Sequence, residues 1–437
     1  MIKLICAGIM ITFPALPAFC YIDPGTGSML FSFLTGIAVT LFFFMKNLVI
    51  KIKTGSYSGR SKAKQAKRHS IVIYSEGKQY WNVFAPVLRE LDARKIPCVY
   101  YTSGEDDPGL AFEAPLIHRE FIGKGNTAYR FLNFLEADIC LMTTPGLDVL
   151  QLKRSPGVSH YAHILHAVVD TGLYRLFSFD YFDSVFLTGE HQIAGIRELE
   201  KKRGLAGKSL PVIGCTYLDV LQEHIAALPA KENIKTVLVA PSWGQNGILK
   251  RYGLALLEPL AQSSYNLIIR PHPQSMISET DTVETLKQAL SGYRNVEWNF
   301  AAENLAALSR SDILISDFSG VIFDYVFLFN RPVLYTRFEF DKRPYDLSDL
   351  DEEAWTFRAI REIGTPIEEE SFAGIETVLD AAIARLKTDA AIDRLKAQAY
   401  MFRGEAGKNA VQEVCKIRDT LQAASPETEK KEAGTAT

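Results

Sequence analysis

Cysteine is scarce in this sequence of 437 residues and follows no pattern: the six lie at 6, 20, 98, 140, 215 and 415, without a CxxC. That spacing argues against a disulfide framework. Three of the later four sit in apolar, strand-like runs and read as small buried hydrophobes in a reducing compartment. A surplus of either charge is missing too. Lys and Arg number 48 against 51 Asp and Glu, a formal net charge of −3, so no global basic field exists to make nucleic acid the main partner. No short-period repeat occurs. What remains is 47% hydrophobic and 23% charged, the composition of a globular chain with room for two core domains and additional segments.

One local absence is informative. No acidic residue occurs between Asp23 and Glu76, whereas Lys46, Lys51, Lys53, Arg60, Lys62, Lys64, Lys67 and Arg68 accumulate. They follow "MLFSFLTGIAVTLFFFM", which with Asn47–Ile50 is long enough to cross a bilayer. Residues 28–50 therefore read as a transmembrane helix and 51–68 as a basic juxtamembrane linker, also suited to anionic headgroups. Residues 1–20 read as a signal peptide or a first membrane span. By the positive-inside rule the remainder is cytoplasmic, a chain held at the cell membrane by an N-terminal anchor.

From His69 onward short β-rich runs alternate with helical patterns. "SIVIYSEG", "IPCVYYTSG", "DICLMTT", "YAHILHAVV", "SVFLTGE" and "LPVIGC" read as strands, interleaved with helices such as "WNVFAPVLRELDARK". After Leu228 the logic repeats, with strands "IKTVLVAPSW", "NLIIRPHP", "VEW", "DILISD" and "RPVLYT". This predicts an α/β chain of two doubly wound parallel-sheet domains, 69–228 and 229–422. Residues from about 349 read as mainly helical, and 423–437 as a disordered tail.

In such folds ligands sit where strands end and helices begin, because free N–H groups and the helix dipole favour anions there. Three strand ends in the second unit are polar. "VLVAPSWGQNG" offers Ser242 and Trp243. "LIIRPHPQ" sets Arg270 and His272 on one face of an extended segment stiffened by two prolines. "LISDFSGV" offers Ser316, Asp317, Ser319 and Gly320 ahead of an apolar helix. Capping by Asp317 or Ser319 explains the last motif without a ligand, and an ion pair with a local carboxylate would explain Arg270. Asp324, one turn into the helix, reads as structural.

Together these blocks, roughly Thr236 to Tyr335, resemble the C-terminal half of the CDP-glycerol glycerophosphotransferase family, the teichoic-acid-type polyol phosphate transferases. The resemblance implies two Rossmann-like domains of GT-B type, with the nucleotide held mainly by the second. It implies that Arg270 and His272 meet the donor diphosphate and that Ser316 and Ser319, with the following helix N-terminus, hold phosphate oxygens. This chain departs from the family's pattern at Gly320, where a second serine is usual. Family members also carry a His-Gly-Thr-Pro-like segment whose His acts as base on the acceptor hydroxyl. Its positional counterpart is His166 in "SHYAHILHAVVDTGLY", without the His-Gly pair; a buried structural histidine is the alternative. His160, His163 and His166 do not form a metal site on this reading, since His163 faces away from the other two on a strand; no cofactor is identified from the residues.

The function expected from these residues is a membrane-associated transferase. It moves glycerol phosphate, or another polyol phosphate, from a CDP-activated donor to a lipid-linked or polymeric acceptor hydroxyl, with membrane lipids as further partners. His166, Arg270 and His272 are its expected catalytic residues. The alternatives are a GT-B glycosyltransferase using a nucleotide sugar and a non-catalytic membrane scaffold that keeps the fold.

Overall fold

The computed structural model describes residues 68–424, apart from positions 302, 338 and 385–388. The expected signal or first span at 1–20, the transmembrane helix at 28–50, nearly all of the basic linker and the tail beyond 424 lie outside the described residues. Among the described residues no helix is long and apolar enough to cross a membrane.

Two six-stranded, all-parallel sheets organise the chain. The first contains β1 (His69–Ser75), β2 (Cys98–Thr102), β3 (Ile117–Phe121), β4 (Ala137–Met142), β5 (Val158–Ile164) and β6 (Ser184–Phe186) in the order β3-β2-β1-β4-β5-β6. The second contains β7 (Thr236–Val239), β8 (Asn266–Ile269), β9 (Val296–Trp298), β10 (Ile313–Ser316), β11 (Val333–Thr336) and β12 (Gly364–Ile367), ordered β12-β11-β10-β7-β8-β9. Both orders place a topological switch at the central pair, β1/β4 and β7/β10, where doubly wound sheets open a crevice beyond the strand ends. Every residue of β7, β10 and β11 is buried, as a central parallel strand covered on both faces requires.

The edge strands β3 and β12 are not legible as apolar runs. Their burial alternates or lapses, and "IHREF" spends its polar residues on the open side. "LPVIGC" contributes only isolated bridges, Ser184 with Ser209 and Leu187 with Val212, rather than a full strand.

Six helices matter below: α1 (Trp81–Ala93), α2 (Ile193–Arg203), α3 (Thr216–Ile225), α4 (Val321–Phe329), α5 (Trp355–Ile363) and α6 (Ala406–Ala423). Helix α4 follows β10 and is apolar almost all round, with Ile322 to Phe327 buried; such a helix belongs inside a core. It stops at Asn330, whose left-handed φ of 50° lets its N–H bond back to the Val326 carbonyl. The last helix, read from sequence as part of the second domain, packs on the first sheet instead. Ala410, Val411 and Val414 share a core with Ile71, Ile73 and Phe84. A Cβ on Gly407 would fall 2.7 Å from Pro86 Cβ, so α6 crosses α1 in close contact. Asp219 of α3 fixes the return path by accepting from Tyr400 Oη and from the Gly404 and Ala406 N–H groups.

The halves are joined by buried polar contacts. Arg203 of α2 bonds Asp180 of its own half, at 2.8 Å, and Asp346 and Asp349 of the other, each at 2.7 Å. The Asp170 carboxylate accepts from Thr356 N and Oγ1 on α5. Gly172 allows the close approach there, since a Cβ would stand 2.8 Å from Leu350 Cδ1.

Candidate active site

The three polar strand ends of the second sheet do different jobs. Ser316 is fully buried and donates to the Ala240 carbonyl, tying β10 to the end of β7. Asp317 is 3% exposed, and its oxygens accept from the Ser242, Ile248 and Phe318 N–H groups. Burial raises its pKa, and those donors oppose the rise. These two side chains are therefore committed to the protein, which corrects their expected role as phosphate ligands. The reason is local: the β7 loop folds back over β10, and its backbone donors reach the carboxylate first. Gly247 completes that turn, since a Cβ would lie 2.4 Å from the Ser242 carbonyl oxygen.

The loop clamped by Asp317 presents Trp243. The Arg175 guanidinium from the first half lies over the Trp243 ring at 4.9 Å, and the His272 ring is 6.5 Å away. Ser242 is partly exposed beside it, its N–H used by Asp317. Ser319 and Gly320 form the partly exposed start of α4. Ser319 Oγ is 3.5 Å from the Val321 N–H, a weak cap, while the Ile322 and Phe323 N–H groups bond back to the Ser319 and Gly320 carbonyls. Gly320 has ordinary helical angles, φ −57° and ψ −24°, so its conformation does not demand glycine. A Cβ there would meet Ala167 Cβ at 3.5 Å and Val169 Cγ1 at 3.6 Å. The N-terminus of α4 thus abuts the segment that directly follows His166.

After β8, Arg270 and His272 both remain half-buried. The Arg270 guanidinium bonds Asn299 Oδ1, and burial lowers its pKa. His272 Nδ1 accepts from the Gln274 N–H at 3.1 Å, which in the neutral ring leaves the proton on Nε2 as a free donor. Burial first, then His166 and Arg270, depress His272 to about 4. His166 is likewise depressed to about 4 by burial, and its Nδ1 is buried without a partner. Its ring packs edge-on against Tyr80 at 5.3 Å and Tyr174 at 6.4 Å. His272 is thus within electrostatic reach of both His166 and Arg270. At neutral pH the two imidazoles act as dipoles, and Arg270 supplies the formal charge.

The other histidines go elsewhere. His163 is fully buried in a box of Tyr174, Phe179 and Phe182, and His160 Nε2 pairs with Ser184 Oγ at 2.7 Å. Among the described residues no group of three or more His, Cys, Asp or Glu side chains is arranged to hold a metal. Asp324 is buried in α4, raised to about 7 by burial, and accepts from Asn304 Nδ2. A cavity of about 920 Å³ opens beside Phe318 and residues 335–343. Its Arg343 and Arg361 are answered by Asp341 and Glu353, and none of His166, Arg270 or His272 lines it.

Sequence reasoning missed Tyr80, Arg175, Tyr217 and Asn299. Arg175 and Asn299 follow polar strand ends that carry no motif. Tyr217, half-buried near Arg270, donates to Asn304 Oδ1, yet looks in sequence like an ordinary helix residue.

Residues 216–351 match the family model "CDP-Glycerol:Poly(glycerophosphate) glycerophosphotransferase", about a third of the chain. No curated protein matches in sequence. Among solved structures the chain is similar to the wall teichoic acid polymerase TagF, with a TM-score of 0.55 at 17% identity over 87% of this chain and 98% of that one. It is also similar to the Methanocaldococcus jannaschii UDP-GlcNAc 2-epimerase in complex with UDP-GlcNAc and UDP, with a TM-score of 0.53 at 13% identity over 80% and 99% of the two chains. At these identities the likeness speaks for the fold, a GT-B-like pair of parallel six-stranded sheets.

Proposed function

Through residues 216–351 the chain belongs to the CDP-glycerol:poly(glycerophosphate) glycerophosphotransferase family of enzymes, and from that premise we propose that it transfers glycerol phosphate from CDP-glycerol to an acceptor hydroxyl. The observation that carries the reading is the approach of His166 and Arg270 to His272, with the segment after His166 packed against the start of α4. In the proposed reaction the acceptor oxygen attacks the phosphorus that bears glycerol. A new P–O bond forms, the P–O bond to CMP breaks, and the acceptor proton passes to His166. Arg270, the Nε2 donor of His272 and the N-terminal dipole of α4 stabilise the charge that grows on the departing CMP.

An imidazole held near 4 by burial is by itself a weak base. The donor itself corrects this. A diphosphate charge about 5 Å away stabilises an imidazolium by about 3 kcal/mol at an effective dielectric of about 20, which brings the pKa back toward its ordinary value. His166 thus becomes a useful base once the donor is bound.

The apolar run at 28–50 and the basic residues after it support attachment to the cytoplasmic face of the membrane, near a lipid-linked acceptor. The test is to incubate membranes containing the full chain with labelled CDP-glycerol. Label enters lipid or polymer, and Arg270→Ala weakens donor binding about 10- to 100-fold, the scale of a charged hydrogen bond. Absence of transfer, with no thermal shift by CDP, overturns the proposal. The fold shared with a UDP-GlcNAc-binding epimerase favours one other reading, a sugar transferase. In that case UDP and UDP-sugars, and not CDP-glycerol, raise the melting temperature.

A further inference from the structure

A diphosphate diester carries a negative charge on each phosphate. Burial keeps His166 and His272 neutral at neutral pH, so Arg270 supplies a single cation for two charges. The segment that follows His166 holds a second guanidinium, that of Arg175. Its side chain is exposed, but its backbone is pinned. Arg175 forms an antiparallel bridge with Tyr345 of the other half. On either side of it, the Asp346 N–H bonds the Tyr174 carbonyl at 3.0 Å and the Leu176 N–H bonds the Pro344 carbonyl at 3.3 Å. Just beyond, Phe177 takes a left-handed φ of 67° and donates its N–H to Asp346 Oδ1. Such a conformation persists only where the surroundings over-determine it.

The side chain is placed as firmly. Its guanidinium lies over the Trp243 ring at 4.9 Å, and His272 flanks the same ring at 6.5 Å. Trp243 is held in turn, because Asp317 anchors its loop through the Ser242 N–H on one side and the Ile248 N–H on the other. A guanidinium stacked by its face keeps its N–H edges free for a forked contact with phosphate oxygens. Among the described residues no carboxylate pairs with Arg175, in contrast to Arg203, which is met by Asp180, Asp346 and Asp349. A cation that the fold positions and does not neutralise, at a crevice, is a place for an anion.

We propose that Arg175 is a further catalytic residue of this enzyme: brought by the first half and stacked on Trp243, it binds the oxygens of the phosphoryl group in transit. The inference rests on the function proposed above and divides the diphosphate between the halves. Arg270 and His272, from the second half, face the phosphate that stays with CMP. Arg175, on the segment that also carries His166, faces the phosphorus that bears glycerol. The acceptor P–O bond forms, the P–O bond to CMP breaks and the acceptor proton passes to His166. Charge on the transferred oxygens is met throughout by a fork already in place. The arrangement needs both halves held together, which the Arg203 contacts supply.

The test uses the full chain, with labelled CDP-glycerol at saturation, membranes as the source of acceptor, and CMP as a ligand that lacks the transferred phosphate. Arg175→Ala lowers kcat about 100-fold or more, the scale of a donor lost from a preorganised anion site. The thermal shift by CMP and the melting temperature stay as in the parent. Arg175→Lys, which keeps the charge but not the fork, recovers part of the rate. In a Trp243→Leu background Arg175→Ala costs less than in the parent, because the platform that places the guanidinium is already gone. If the alanine variant does not fold, Arg175→Gln is read in the same way. A kcat within about 3-fold of the parent overturns the inference alone. So does a loss of CMP binding equal to the loss of rate, which makes Arg175 a part of the nucleotide pocket instead. Absence of transfer by the unaltered enzyme, with no thermal shift by CDP, overturns the functional reading and this inference with it.

Discussion

Asp317 is the sharpest place to separate a structural acid from a ligand. Asp317→Ala removes a carboxylate that accepts from three backbone N–H groups, at 3.0 Å from Ser242, 3.2 Å from Ile248 and 2.7 Å from Phe318. Each donor left buried and unmet costs about 1–3 kcal/mol. Part of that is offset, because a buried carboxylate without a cation is itself expensive to keep. A net loss of about 3–5 kcal/mol follows, at the high end for single substitutions. The loss is local in origin, since the loop from Ser242 to Ile248 loses its anchor and Trp243 its place under Arg175. Urea unfolding followed by tryptophan fluorescence reads the stability, and a CDP-induced thermal shift reads the site. The expected result is a large stability loss together with weaker CDP binding. A variant within about 1 kcal/mol of the parent that no longer binds CDP would falsify the clamp and return Asp317 to the list of ligands.

Three other outcomes follow from the geometry. Arg203→Met leaves Asp346, 1% exposed, as an uncompensated buried charge and costs about 3–5 kcal/mol in chemical unfolding; a loss below about 1 kcal/mol contradicts the clamp between the halves. Gly320→Ser fits with ordinary contacts and changes stability by no more than about 0.5 kcal/mol; CDP-glycerol affinity, read by calorimetry, holds or improves, and a tenfold fall refutes this placement of the α4 N-terminus. Acid destabilises the fold through its histidines. His163 is held near 3 and His166 and His272 near 4, below their unfolded value. Their contribution is therefore present above about pH 6.5 and lost as pH falls toward 4, up to about 3 kcal/mol for each. His163→Leu flattens that slope in unfolding measured from pH 7 to 4.5, and an unchanged slope rules His163 out as its source.

Much of this was legible in the sequence, for definite reasons. Parallel strands covered on both faces must be continuous apolar runs, so β1, β4, β7, β8 and β10 announced themselves, and the βα rhythm gave the doubly wound order. The proline-stiffened "RPHP" put Arg270 and His272 on one face. Of the four edge strands, β6 and β9 were legible but β3 and β12 were not, because an edge needs only one covered face. The address of α6 was hidden because an amphipathic helix says that it packs, not against which sheet. Within "SDFSG" the order of polar residues gave no way to see that Ser316 and Asp317 turn toward the β7 loop while Ser319 and Gly320 remain at the surface.

Glu76 and Asp317 show why that limit is physical. Each is an acid placed directly after a central apolar strand, at the switch point of its sheet, and each is buried enough to have its pKa raised. Sequence treats them alike. Their fates differ because of what the neighbouring loop returns to them. The β7 loop brings three backbone N–H groups to Asp317 and fills it. Glu76, at the corresponding turn of the first sheet, stays half-exposed. A carboxylate saturated by its own backbone holds a loop in place, whereas one left half-exposed at a crevice stays open to solvent.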